Sequence, residues 1–257
     1  MHRFFVEPTL LAGTPDNIVL PDKLAHQVRD VLHLAIGEQL VLLDNSGDEV
    51  LATVAKSNRT GVEVQYVERR PGPDEPSVRI ILCQGLLKSA RFEWVLEKGT
   101  ELGVAVFVPT LCHRSMAGLD KAGPAKIARW QHIIQEAAEQ CDCSRLPELQ
   151  PIRPLAQVLN DIPEGTFSLM LWEEEHALSL RDALNTYHAT TTTSSTTIVL
   201  FIGPEGGLTA EEIALARQRG VQSVTLGQRT LRAETAALAA VANAMYALEN
   251  MPGNTEC

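Results

Sequence analysis

A two-part α/β architecture is predicted for this chain of 257 residues, on three stretches of its sequence. The first is Ile198 to Gly207, IVLFIGPEGG, an apolar run of strand length that enters Gly-Pro-Glu-Gly-Gly and is followed by TAEEIALARQRG with helical spacing. A strand that ends in a glycine loop at a helix start is where α/β domains usually hold a ligand. The second is RPGPDEPS, Arg70 to Ser77, whose prolines and glycine oppose regular structure and mark a domain boundary. The third is the run of short β-prone segments before that boundary, with one helical stretch among them, which suits a small barrel-like unit. The expected domains are therefore residues 1–73 and 74–257.

Length and composition allow one large or two modest cores and exclude several classes of function. With 22 Lys and Arg against 32 Asp and Glu, the formal net charge of -10 opposes indiscriminate nucleic-acid binding, although a local basic patch remains compatible with it. No apolar run approaches the roughly 20 residues of a membrane span. The opening MHRFFVEP lacks the long apolar stretch of a signal peptide. Five cysteines in no framework spacing suggest a reducing compartment, so a cytoplasmic enzyme is expected. Cys141 and Cys143 form a C-x-C pair with no further ligands nearby, and no metal is expected.

In the first domain, HRFFV and IVLP read as short strands. KLAHQVRDVLHL reads as a helix capped by Asp22, with Leu24, Val28, Val31 and Leu32 on its apolar face. Gln39–Leu43, Val50–Ala55 and Gly61–Val67 follow as strands, the first two joined by a hairpin turn at Asp44-Asn45-Ser46-Gly47. Such a unit serves either as an RNA-contacting module or as a packing and dimerisation appendage.

The second domain opens with strand Val78–Cys83, a helix over KSARFEWVLEKGTELGV and strand Ala105–Pro109. Lys88 and Arg91 stand near that helix start, where a cation gains nothing from the dipole, so both are expected to face an anion. AKIARWQHIIQEAAEQCD is a long amphipathic helix with Ile127, Trp130, Ile134 and Ala138 as its core stripe. Leu149–Arg153 is β-like, LAQVLND a brief helix, and Phe167–Trp172 a buried strand ending in Glu173-Glu174-Glu175. HATTTTSSTT, from His188, is polar and of low complexity and reads as a disordered or variable surface loop. After the glycine loop, Thr209 and Glu212 form a capping box at the next helix start. Strand Ser223–Leu226, the loop Gly227-Gln228-Arg229-Thr230 and an alanine-rich helix close the chain.

The glycine loop is not a Walker loop, because no Gly-Lys-Ser/Thr follows, and it lacks the three-glycine dinucleotide spacing. The absence of a G-x-S-x-G elbow argues against an α/β-hydrolase. Any ligand is held by a different loop chemistry.

The stretches MHRFFV, KSARFEWVLEKGTELGV, RW..I..EAAEQC, FIGPEGG with Glu211-Glu212, and LGQRTLRAETA span nearly the whole chain in order. Together they resemble the bacterial ribosomal RNA small subunit methyltransferase E family of the SPOUT superfamily. The resemblance implies a C-terminal SPOUT domain with a deep trefoil knot and a mainly parallel sheet, preceded by a small PUA-like β-barrel that contacts RNA. It implies a homodimer that transfers a methyl group from S-adenosyl-L-methionine to N3 of a uridine in 16S ribosomal RNA, with no DNA or membrane partner. The alternatives within reach of the same residues are a SPOUT enzyme acting on another position, such as a ribose 2'-hydroxyl, and a non-catalytic RNA-binding or assembly protein.

Carried onto this sequence, the cofactor pocket comprises Leu171, Trp172 and Glu173; Ile202, Gly203, Pro204, Glu205, Gly206 and Gly207; and Leu226, Gly227, Leu231, Arg232 and Ala233. Glycine, leucine and proline loops suit a flat neutral adenine read by backbone groups, and no pyrophosphate needs a grip. Arg232 is the expected stabiliser of a developing uridine anion, the alternative being that it braces the cofactor loop or pairs with Glu205 or Glu234, and Glu205 orients the cofactor or accepts the N3 proton. Arg3, Arg29, Lys88, Arg91 and Arg114 are the expected RNA contacts. Two positions depart from the family pattern: Ala233 stands where threonine is usual, and His33 stands at an arginine position for which Arg29, one turn earlier, is a substitute.

Overall fold

A computed structural model of the chain describes residues 1–13, 16–118, 122–163, 165–190 and 196–249. It consists of two compact units, Met1–Asp74 with Ala138–Leu146, and Glu75–Ala137 with Pro147–Cys257. The short segment Ala138–Leu146, which the sequence reading keeps with the second domain, thus groups with the first.

The first unit is built on β1 (His2–Phe5), β2 (Asn17–Val19), α1 (Asp22–His26), β3 (Gln39–Leu43), β4 (Asp48–Asn58) and β5 (Gly61–Pro71). Its five-stranded sheet has the order β1-β3-β4-β5-β2, parallel only between β1 and β3. Alternation along β3 sends Leu40 and Leu42 into the main core with Phe4, Val28, Val62 and Val64, and Val41 and Leu43 against Leu51 on the other face. The expected hairpin joins β3 and β4: Asp44 accepts from the Ser46 N–H, and Asn45 takes a φ of 65°.

Three local expectations change. Pro21, not Asp22, is the helix N-cap, and Asp22 makes no capping hydrogen bond. The helix continues past α1 as a wider π turn, Gln27–Val31, which leaves Val31 60% exposed. β5 extends through Arg70 to Pro71, which pairs with Asp48, so the linker proper begins at Gly72. Glu49, buried in β4, receives Arg3 and Arg70. Burial pushes its carboxyl up, and the two guanidinium hydrogen bonds more than reverse this, leaving it below its ordinary value.

The second unit comprises β6 (Val78–Gly85), α2 (Ser89–Glu101), β7 (Val104–Leu111), α3 (Pro124–Gln140), β8 (Glu148–Leu149), β9 (Arg153–Pro154), α4 (Leu155–Asn160), β10 (Phe167–Leu171), α5 (Leu180–Thr190), β11 (Thr196–Ile202), α6 (Ala210–Gln218), β12 (Gln222–Val224) and α7 (Ala233–Leu248). Every pairing in its seven-stranded sheet is parallel, in the order β12-β10-β11-β6-β7-β8 with β9 also on β7. Helices cover both faces, which is why the central strands are apolar without alternation. Ile198, Leu200 and Ile202 of β11 pack with α2, α5 and α7 residues, whereas Val199 and Phe201 pack with Leu155, Val158 and Ile213 of α4 and α6.

No helix is expected over α5, yet it forms; its Tyr187 stacks on Phe167 with ring centroids 4.0 Å apart. The HATTTTSSTT stretch is therefore partly regular: its start closes α5 and its end opens β11, while residues 191–195 lie outside the described residues. In α7, Ala237, Ala240, Val241 and Ala244 are fully buried, and their small side chains let this helix sit closely on α2 and α5. Among the described residues no helix is long and apolar enough to cross a membrane.

Of the three carboxylates after β10, Glu175 is the buried one, 8% exposed. It accepts hydrogen bonds from the Ser223 hydroxyl, the Arg217 guanidinium at 2.9 Å and the Ala177 N–H at 2.9 Å. These donors, the Ser223 hydroxyl first, pull its pKa down from 4.5 to about 2. A carboxyl depressed on folding stabilises above its unfolded value and loses that contribution as pH falls through its folded one. Glu175→Gln is thus expected to lower stability by about 2 kcal/mol at pH 7. The deficit should shrink as the pH is lowered from about 4.5 towards about 2. Urea titrations at pH 7 and pH 3 check this, and equal deficits at both would refute the assignment.

Candidate active site

The carboxyl ends of β10, β11 and β12 open on a cleft of ≈ 450 Å³. This is the edge where a parallel sheet holds ligands, and the connection direction reverses here: β10 is flanked by β11 on one side and by β12 on the other. Three loops and α2 line it, through residues 171–173 with His176, residues 202–205 with Gly207 and Leu208, residues 224–233 with Ala236, and Arg91. The buried side chains of Leu171, Ile202, Leu208 and Val224 make an apolar floor, and Glu173, Glu205, Arg229 and Arg232 stand exposed around it.

Two glycines shape the middle loop. Gly207 has a φ of +73°, a conformation that favours glycine, and this turns the chain toward Thr209. Gly85, at the end of β6, meets the loop directly: a Cβ there would lie 2.5 Å from the Pro204 nitrogen and 2.7 Å from the Gly203 carbonyl carbon. The expected capping box then starts α6, with Glu212 accepting from the Thr209 N–H at 2.9 Å and the Thr209 hydroxyl accepting from the Glu212 N–H at 3.2 Å.

Charge around the cleft is arranged in two ways. Glu205 Oε1 accepts the Lys88 N–H at 3.1 Å, at the N-terminus of α2, and lies 3.6 Å from Arg91 Nη1. Arg91 Nε is in turn 3.6 Å from Glu234 Oε1, and Glu234 is buried with its Oε2 unpartnered among the described residues. Arg114 Nη1 donates to the Gly206 carbonyl at 3.1 Å. By contrast, the side chains of Arg229 and Arg232 make no ion pair or hydrogen bond among the described residues. The cleft thus offers apolar walls, backbone donors and acceptors, and two uncommitted cations.

Comparison with known proteins agrees with this chemistry. The RNA methyltransferase domain family matches residues 74–245. A ribosomal RNA small subunit methyltransferase E from Synechocystis is 31% identical over 96% of this chain and 80% of its own length. The chain belongs to the ribosomal RNA small subunit methyltransferase E family. The Bacillus subtilis member is 29% identical over 99% of this chain and all of its own length. The Neisseria gonorrhoeae member, solved bound to S-adenosyl methionine, superposes with a TM-score of 0.82 at 30% identity, over 95% of this chain and 96% of that one. A Legionella pneumophila methyltransferase in complex with the same cofactor gives 0.78 at 28% identity, over 96% and 98%. The second unit therefore has the α/β methyltransferase fold of the SPOUT type, with its parallel sheet.

The expected pocket residues Leu171, Trp172, Glu173, Ile202, Gly203, Pro204, Glu205, Gly207, Leu226, Gly227, Leu231, Arg232 and Ala233 line this cleft together, and Gly206 does not. Arg232 is the N-cap of α7, and Ala233, where the family pattern has threonine, is its first residue. Arg91 lies in the cleft between two carboxylates and not on a surface turned only to RNA. Lys88 caps α2 with its side chain exposed, and Arg114 lies over the glycine loop.

Two of the expected RNA contacts are engaged by partners within the protein. The Arg3 side chain is 8% exposed and is held by Glu49, with Asp142 at 3.5 Å, so its charge is already matched and out of solvent. Arg29 grips Asp30 and donates to the Asn58 carbonyl at 2.8 Å, and the Arg29 hydrogen bond is the main reason Asp30 titrates well below its ordinary value. Arg29 is therefore no replacement for an arginine at His33, which is exposed with a φ of 53°. The sequence reading assigns no role to His176 or Arg229, both in the cleft. Arg229 was signalled only by its spacing, three residues before Arg232 in one loop.

Proposed function

We propose that this chain transfers the methyl group of S-adenosyl-L-methionine to N3 of one uridine in 16S ribosomal RNA. The observation that carries the reading is the three-loop cleft at the carboxyl edge of a parallel sheet, in a chain that superposes along nearly its whole length on a family member holding that cofactor. The volume of ≈ 450 Å³ and the apolar floor suit an adenosine, whose flat ring needs few polar contacts beyond backbone groups. The cofactor supplies an electrophilic methyl on a sulfonium.

The chain's own residues do the rest. Protonated N3 is a poor nucleophile, so the site must favour loss of its proton to solvent water while aligning the base for the methyl that leaves the sulfonium. Arg232, uncommitted at the rim, stabilises the charge that develops on the uridine oxygens. Glu205 has its carboxylate against the Lys88 N–H and Arg91, an arrangement that supports a role in bracing the glycine loop over one in proton transfer. Lys88 and Arg114 serve as RNA backbone contacts.

The same reading gives the second unit a deep trefoil knot and makes the first a PUA-like, RNA-contacting domain, with a chain boundary near residue 73. It places the enzyme in the cytoplasm as a homodimer. Exposed Trp94 on α2 and Tyr246 on α7, helices that pack on each other, supply apolar surface for a second copy. Sedimentation at the mass of a single 28.1 kDa chain would refute the dimer. The function is tested by mass spectrometry of nucleosides from 16S RNA of cells with and without the protein. One 3-methyluridine is expected to disappear without it; loss of a 2'-O-methyl nucleoside instead would overturn the N3 assignment.

A further inference from the structure

Three arginines line the cleft, Arg91, Arg229 and Arg232. Among the described residues only the first is matched by carboxylates, Glu205 and Glu234, each 3.6 Å away. Arg229 and Arg232 stand three apart on the loop between β12 and α7, and both are exposed. The base of that loop is fixed: the Thr225 hydroxyl accepts from the Gly227 N–H at 3.2 Å, and the Thr225 N–H donates to the Leu178 carbonyl at 2.9 Å. Its far end is fixed too, where the Arg232 carbonyl accepts from the Ala236 N–H at 2.8 Å. Two uncompensated cations on one anchored loop, in a chain of net charge -10, form a local site for an anion.

Resting on the methyl-transfer reading, we propose that Arg229 grips a phosphodiester beside the target nucleotide, leaving Arg232 to the base. The cofactor brings a single carboxylate and a net positive head, so it does not call for two free guanidinium groups. A target nucleotide brings both kinds of negative charge, phosphodiesters on either side and a developing anion on the ring. A planar guanidinium fork matches two phosphate oxygens at once, and an exposed rim position is where a polymer backbone passes. Phosphate contacts of this kind set the register of the nucleic acid and leave base recognition to other groups.

The test compares wild type with Arg229→Gln and Arg229→Lys, using small ribosomal subunits from cells lacking the protein. Arg229→Gln is expected to weaken subunit binding about tenfold, as befits one charge-assisted hydrogen-bonded contact. The slope of log affinity against log salt should become shallower by about one. Arg229→Lys should regain the slope, and S-adenosylmethionine affinity should stay at the wild-type value in both variants. Unchanged subunit affinity and slope in Arg229→Gln would overturn the proposal. So would a loss of cofactor affinity with subunit binding intact, since the arginine would then hold the cofactor carboxylate. A wild-type protein that binds subunits without methylating them would sink the functional reading alone, because the salt slope reads the contact independently of turnover.

Discussion

Arg232→Ala is expected to slow single-turnover methylation at saturating cofactor and RNA by about 10²–10³-fold, the usual loss when one preorganised donor to a developing oxyanion is removed. The expectation follows from where this guanidinium stands. It lines the cleft at the first turn of α7, on a backbone anchored by the helix it caps, and no carboxylate among the described residues competes for it. Its charge is therefore available to the uridine when N3 loses its proton. Cofactor affinity should stay within about threefold of wild type, because interactions made only in the transition state do not contribute to ground-state binding. Glu205→Gln should show the converse: weaker cofactor binding as the loop loosens, with an unchanged rate once saturated. Calorimetry and rapid-quench kinetics on the two variants separate these roles. A fall in cofactor affinity for Arg232→Ala with the chemical rate intact would remove it from the chemistry.

Gly85→Ala should nearly abolish cofactor binding, with an affinity loss above about tenfold, while leaving the fold in place. The added methyl would sit 2.5 Å from the Pro204 nitrogen and 2.7 Å from the Gly203 carbonyl carbon, and both are backbone atoms that cannot rotate away. Either β6 or the glycine loop must shift. β6 lies between β11 and β7, hydrogen-bonded on both sides, so the loop is the part that yields. Overpacking of this kind costs roughly 1–3 kcal/mol of stability. The displacement falls on a segment that forms one wall of the cleft. Gly123→Ala is the control, since nothing lies within 4 Å of a Cβ there and no change is expected. Wild-type cofactor affinity in Gly85→Ala would show that the loop is not set by its contact with β6.

Much of the site was readable because its pieces are local. β11 ends in the apolar run Ile198 to Ile202, the capping box of Thr209 and Glu212 spans one helical turn, and the glycines between them answer to turn geometry. Short-range periodicity and turn chemistry suffice for such elements. The weaker readings have equally specific reasons. Leu180–Thr190 lies next to a polar threonine tract, and its helix is held by tertiary contacts such as the stack of Tyr187 on Phe167. Arg3 carries the same charge in the sequence as any RNA-binding arginine, but Glu49, 46 positions away, takes it out of solvent.

By itself the sequence determined the family, the α/β class, most of the strands and helices, and the three segments that supply the cleft. The tertiary structure alone decided what the charged side chains do. Glu205 meets the Lys88 N–H across 117 residues, and Arg91 meets both Glu205 and Glu234. Those meetings depend on parallel strand order, which places β11 beside β6 and β12 beside β10 and brings their following loops to one edge. Charge pairing depends on distance in space, and no periodicity along the chain encodes it. The same ordering leaves Arg229 and Arg232 unpaired among the described residues, and so separates the arginines that hold this protein together from the two left uncommitted at the cleft.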